Sequence, residues 1–261
     1  MSNVEGNTIR NSAVRHFGQV SFIQEDSRKP NSFSRCCILT SVFCILLFAM
    51  IAIIDYKAGN LTSVQRALAS IGRESLITSR AAEVLAAERI IFPGVGAAGA
   101  AMFDLMRLNM DAALAEAYQK GKPILGICLG TQIVMERSEE NETRCLGLIK
   151  GEVLRFPEDI SEPGGRKLKV PHMGWNRVTL KRKHPVFEGI DPQSEFYFVH
   201  SYYPGPREER NLLGETVYGI AFASVLTSSN LVAVQFHPEK SGRPGLRLLS
   251  NFCQWDGKDH A

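Results

Sequence analysis

In the stretch KPILGICLGTQ, Cys128 stands with Gly126 two residues before it and Gly130 two residues after it. An apolar run leads into the cysteine and helical text leads away. The spacing G-x-C-x-G therefore has the form of a nucleophile elbow with a thiol in place of the usual hydroxyl. In such a strand-to-helix turn the glycines relieve crowding around a strained, exposed side chain. The unpaired N–H groups that open the helix favour negative charge on the sulfur. By itself the pattern fits a buried structural cysteine between small residues equally well.

A sulfur nucleophile needs an imidazole to move protons and a carboxylate to orient that imidazole. QFHPEKS supplies both, as His237 and Glu239 at the end of an apolar strand. Two apart on extended backbone, their side chains are expected to turn to the same side; alone, the tripeptide reads as a surface turn. Acyl transfer also needs donors for a developing oxyanion. FPGVGAAG offers the backbone of Gly94, Val95 and Gly96 at the carboxyl end of another strand, and the N–H of Leu129 follows directly on the cysteine. A glycine loop of this kind is otherwise a tight turn or a phosphate cradle, but no P-loop lysine follows and the spacing is not G-x-G-x-x-G.

The elements that must position these residues alternate along the chain. IAIID is a short β-branched run and YKAGN a turn; in LTSVQRALASIG, Leu61, Val64, Leu68 and Ile71 recur at helical spacing before the stop at Gly72. RIIFPGVG is a second strand, followed by helical text from Ala100 to Lys120, and KPILGIC a third, running into the helical text LGTQIVMERSEE. Strands that are apolar throughout, alternating with amphipathic helices, predict an α/β fold around a parallel sheet covered on both faces. From Leu146 the runs shorten: GEVLRF, HMGWNRVTL, EFYFVHSYY, VYGIAFAS and LVAVQFHP predict antiparallel or mixed strands added to the same sheet, and GRPGLRLLSNFCQW a closing helix.

The 261 residues carry 30 basic and 27 acidic side chains, a formal charge of +3 that gives no support to nucleic-acid binding. Of six cysteines, Cys36, Cys37 and Cys44 crowd one apolar stretch, while Cys128, Cys145 and Cys253 are scattered. That is neither a disulfide framework nor a zinc-ligand spacing, and it points to a reducing compartment. Residues 36–54 are nineteen consecutive uncharged residues, within the roughly 17–25 of a membrane-spanning helix. Ile51 to Ile54 are wanted as the first buried strand, however, and the remainder is too short to span. The expected organisation is a weakly structured extension over residues 1–49 and one folded body over 50–261, with Met50 as a candidate initiator and no membrane segment in the body.

GICLGTQ, PGVG and FHPEKS in this order resemble the class I, or triad-type, glutamine amidotransferases, which take ammonia from glutamine through a γ-glutamyl thioester. IAIIDYKAGNLTSV, VPHMGWN, YFVHSYY and QFHPEKSGRPGLRLLSNF narrow the likeness to the HisH glutaminase subunits of imidazole glycerol phosphate synthase, from Met50 to about Trp255. The resemblance implies a three-layer, flavodoxin-like fold, a mostly parallel central sheet with added antiparallel strands, and no metal or organic cofactor. It implies that Cys128 attacks the side-chain amide, His237 shuttles the proton and Glu239 holds the imidazole, with Gly94, Val95, Gly96 and Leu129 around the oxyanion. Gln132, Glu140, His200, Ser201 and Tyr202 match positions that hold the substrate L-glutamine. Asn60, Pro171, Met173, Gly174, Trp175 and Lys240 match positions that face a HisF-like cyclase subunit, a (β/α)8 barrel that pairs with the glutaminase as a heterodimer and receives its ammonia.

The implied setting is cytoplasmic L-histidine biosynthesis. A HisH-like amidotransferase feeding another synthase, for instance in surface-polysaccharide assembly, carries the same motifs, and a catalytically silent binding module would be expected to have lost the triad. Three departures from the family pattern stand out: Thr131 where Met is common, Lys57 where Gly is frequent, and a proline within SGRPG.

Overall fold

Strand β1 (Ile51–Ile54) is buried along its whole length, as a β-branched run between two covering layers must be. The computed structural model of the chain describes residues 50–57 and 59–259; the expected extension over 1–49, with its apolar stretch, lies outside the described residues. After β1 come α1 (Leu61–Ser70), β2 (Ser75–Thr78), α2 (Ala81–Ala86), β3 (Arg89–Gly94), α3 (Ala98–Arg107), α4 (Met110–Gln119), β4 (Ile124–Cys128) and α5 (Leu129–Ile133). Short strands follow: β5 (Arg137–Ser138), β6 (Thr143–Arg144), β7 (Gly151–Arg155), β8 (His172–Arg177), β9 (Thr179–Leu180), β10 (Glu195–His200) and β11 (Tyr202–Pro206). Then come β12 (Leu212–Tyr218), β13 (Ile220–Ser228), β14 (Leu231–Val234) and the closing helix α6 (Gly242–Phe252).

Among the described residues eight strands form one sheet in the order β2-β1-β3-β4-β14-β13-β12-β9. The first five run parallel and the last three are joined antiparallel. The parallel part has the flavodoxin-like strand order, in which sites open at the carboxyl ends of the strands. Helix α1 packs with α6, and α2, α3 and α4 pack together as a second group. Between these layers lie Ile53, Ile54, Ile90, Ile91, Phe92 and Phe236, all fully buried. Among the described residues no helix is long and apolar enough to cross a membrane.

Neighbouring strands fit through size as well as hydrogen bonds. Gly126 of β4 sits opposite Ala233 of β14, and a Cβ on Gly126 would lie 3.0 Å from the Ala233 Cβ.

Four features differ from the sequence expectation. The short edge strand β2, only partly buried, and the six-residue α2 give too few periodic positions to be read. The helical text from Ala100 to Lys120 is two helices, broken where Asn109 adopts left-handed backbone at φ 55°. The helix after Cys128 stops at Ile133, because Glu136 accepts a hydrogen bond from Gly151 N at 2.8 Å and Arg137 and Ser138 pair with β7: tertiary pairing overrides helical propensity. The added strands also do not all join one sheet. β8 and β10 make a separate pair, and β11, β7, β5 and β6 a third sheet.

Candidate active site

Four loops at the carboxyl ends of β1, β3, β4 and β14 converge. Cys128 ends β4 and begins α5 with φ 54° and ψ −106°, a conformation that side-chain-bearing residues rarely hold and that marks the elbow. The turn is possible because Gly130 has no side chain: a Cβ there would lie 1.9 Å from the carbonyl oxygen of Phe92. The sulfur is nearly buried, with Gln235 Nε2 at 3.8 Å and the Val199 carbonyl at 4.0 Å.

His237 approaches from the end of β14. Its expected partner is present, through a different backbone: β14 ends at Val234, and His237 opens a 3-10 turn over Pro238–Lys240. The tight turn, not an extended strand, brings Glu239 back to the ring, with Nδ1 of His237 2.8 Å from Glu239 Oε1. Nε2 is buried without a well-aligned partner, which leaves it available to Cys128. Burial opposes charge on this imidazole, but its interactions with Cys128 and Glu239 outweigh burial and raise its pKa to about 10. The pair is thus poised with the imidazole protonated.

These groups open on a cavity of about 390 Å³, within the size range of small-molecule sites. Val95, Gly96, Cys128, Leu129, Gln132, Glu140, Pro171, His200, Ser201, Tyr202 and His237 line it. Gly94 lies just behind the wall, paired in register with Cys128. The Gln132 amide donates to the Tyr202 carbonyl at 3.0 Å and to Gln235 Oε1 at 3.3 Å, so the group it has left for a ligand is its own carbonyl oxygen. Glu140 lies in a 3-10 turn, and its Oε2 accepts from Ala98 N at the start of α3, at 2.6 Å.

His200 lines the cavity but spends both nitrogens on the protein. Nδ1 meets the Tyr202 carbonyl at 2.8 Å and Nε2 meets His172 Nδ1 at 3.1 Å, while His172 Nε2 meets Asn176 Nδ2 at 3.3 Å. A carbonyl only accepts, so Nδ1 of His200 donates and the chain runs donor to acceptor from Asn176 through both rings. Burial pushes His172 down to about 4 and His200 to about 3.

The residues matched to a partner surface divide. Pro171 lines the cavity. Asn60 turns inward, its Nδ2 donating to Glu239 Oε1 at 2.6 Å. Met173 and Trp175 alternate on the outer face of β8 at 62% and 54% exposure, with Gly174 between them at φ 133°. Trp175 meets the Tyr197 ring at 5.9 Å, and Lys240 lies 5.9 Å over that ring.

Sequence reading did not single out Gln235, His172, Tyr56 or Tyr197. The first two stand beside motif residues, in QFHPE and PHMGW, and position, just past the end of β14 for Gln235 and at the start of β8 for His172, is the signal that could have found them. Of the three departures, Thr131 is buried and donates to the Val234 carbonyl at 2.6 Å, tying α5 to β14. Lys57 pairs with Asp104 at 3.5 Å. Pro244 falls in the first turn of α6, where backbone N–H groups are unpaired in any case. Among the described residues no group of His, Cys, Asp and Glu could hold a metal ion.

A family model described as glutamine amidotransferase class-I matches residues 52–255. The imidazole glycerol phosphate synthase subunit HisH of Maridesulfovibrio salexigens is 53% identical over 206 residues, 79% of this chain and 97% of that protein. Subunit HisH 1 of Pseudomonas aeruginosa is 48% identical over 210 residues, 80% of this chain and 98% of that protein. Among solved structures, a glutamine amidotransferase superposes with TM-score 0.59 at 17% identity, over 79% of this chain and 98% of the other. PurLQS from Thermotoga maritima does so at 0.57 and 18% identity, over 78% and 97%. At such identities these structures speak to the fold alone.

Proposed function

The chain belongs to the class I glutamine amidotransferase family, and from that premise we propose that it is the glutaminase subunit of imidazole glycerol phosphate synthase. It hydrolyses glutamine to glutamate and ammonia for histidine biosynthesis. The observation that carries the reading is the meeting of a strained Cys128 with the His237–Glu239 pair at one cavity.

Cys128 Sγ attacks the side-chain amide carbon of glutamine, and the amide oxygen takes the negative charge of the tetrahedral intermediate. Backbone N–H groups of Leu129 and of the Gly94–Gly96 loop are the donors for that oxygen. His237 gives its proton to the departing nitrogen, which leaves as ammonia while the thioester forms, and then takes a proton from the water that releases glutamate. Glu239 keeps the ring in register throughout. Glu140 faces the substrate ammonium and the Gln132 carbonyl oxygen adds an acceptor, while His200, with its nitrogens engaged, contributes shape.

Ammonia is useful only if delivered before it is protonated in water, so the chain works with a synthase subunit. We assign that partner to a (β/α)8 cyclase, docked on the patch of Met173, Trp175 and Lys240, in the cytoplasm. Its products would be imidazole glycerol phosphate and aminoimidazole carboxamide ribotide. The test is glutamate release from the purified chain mixed with such a cyclase, with and without its ribulosyl substrate. Release should be low alone, rise on assembly and vanish in Cys128→Ala, whose synthase activity returns with ammonium salt. Failure of the active chain to rescue a histidine auxotroph lacking this subunit would assign its ammonia to another synthase.

A further inference from the structure

The loop after β1 touches both halves of the catalytic apparatus, and one of its side chains has no role in the steps above. Tyr56 is 2% exposed, its ring tilted on Phe92 at 5.6 Å between centroids. Its hydroxyl has no hydrogen-bond partner. An unpaired buried hydroxyl is destabilising, and one at a functional site calls for an explanation.

The surroundings supply one. A Cβ at Gly94 would lie 2.0 Å from the Tyr56 oxygen, 3.0 Å from the Leu129 Cβ and 3.3 Å from Gly130 N. The hydroxyl therefore fills the space between the glycine loop and the elbow, behind the cavity wall. Burial, and then the nearby Cys128, disfavour ionisation of this phenol, so it stays an O–H donor. Three residues on, a Cβ at Gly59 would meet the Val95 side chain at 3.1 Å.

We infer that Tyr56 is a positioning residue for the oxyanion loop, its hydroxyl held ready for an acceptor that the loop presents only in the working state. A peptide unit is planar and trans, with N–H and C=O pointing oppositely. When the Gly94–Val95 peptide aims its N–H at the cavity, its carbonyl swings to the far side, where Tyr56 waits as donor. The inference rests on the glutaminase reading.

The test is Tyr56→Phe, assembled with the cyclase. The expected result is a kcat for glutamine hydrolysis lower by roughly 5- to 10-fold, the worth of about one hydrogen bond. The KM for glutamine and the ammonia-dependent synthase rate should stay unchanged, and Tm should be equal or higher, because an unpaired buried hydroxyl is gone. In a second arm, Gly94→Ala should be crippled and partly rescued by Tyr56→Phe, since the oxygen it strikes is removed. An unchanged kcat, or a joint fall of kcat, ammonia-dependent rate and Tm, overturns the inference. Wild-type assembly that releases no glutamate overturns the glutaminase reading instead.

Discussion

Asn60 Nδ2 and His237 Nδ1 share one oxygen, Oε1 of Glu239, at 2.6 and 2.8 Å. Oε2 of the same carboxylate is buried without a partner, so Asn60 is a large part of what holds this buried group. Hydrogen bonds to charged groups contribute about 1.5–3 kcal/mol. Asn60→Ala should therefore lower kcat for glutamine hydrolysis on the order of 10-fold or more, and Asn60→Asp further, by setting like charges together. A residue serving only the partner surface would change the affinity of the two subunits and leave kcat at saturating partner alone; kinetics at saturation separate the two.

The raised pKa of His237 fixes a pH dependence. An unfolded chain releases this proton near 6.5, whereas the folded chain keeps it to about 10. The stability it confers is complete below about pH 6.5 and is lost as pH rises through about 10. Nitrogen NMR of labelled histidine should find the His237 ring protonated at pH 8 in the resting chain, and Glu239→Gln should lower its pKa. A neutral ring at pH 7 would contradict the assignment.

His172 and His200 behave in the opposite sense. Folded, they refuse protons until about pH 4 and about pH 3, while the unfolded chain takes them up near 6.5. Their contribution is complete above 6.5 and is lost as pH falls toward 4, by about 1.4 kcal/mol per pH unit for each ring. Urea midpoints should drop over this interval, and His200→Phe should flatten the fall while costing stability at pH 7, because the Tyr202 carbonyl and His172 each lose a partner.

Trp175, half exposed beside Tyr197 and Lys240, is the expected anchor of the partner surface. Trp175→Ala should weaken assembly with the cyclase by roughly 30-fold, about 2 kcal/mol, with Tm nearly unchanged. Equal affinity measured by titration calorimetry would move the interface elsewhere.

The parallel strands were legible because they are continuous apolar runs, and the elbow because glycines flank Cys128 at fixed spacing. Local text could not show Glu239 folding back through a 3-10 turn rather than lying along a strand. Contacts made through strand pairing were hidden too: Gln235 reaches Cys128 across 107 positions because β14 lies beside β4. Asn60 is the instructive case. Its motif was visible, but which way it faced depended on where two distant loops meet, and it points into the molecule.

Strands buried on both faces, such as β4 and β14, carry a hidden weakness: with no wet side, an inside-outside pattern cannot tell them how far to slide. Here the notch is Gly126 against Ala233. A one-step slip would set a valine, Val232 or Val234, into a space where even a methyl is close, and would break the Thr131 bond to the Val234 carbonyl. The same slip would carry His237 about 3.3 Å along the sheet, out of reach of Cys128. The gauge that aligns two strands during folding is thus also the gauge that sets Cys128 against His237, and on the mechanism proposed above a misaligned molecule would be silent rather than slow.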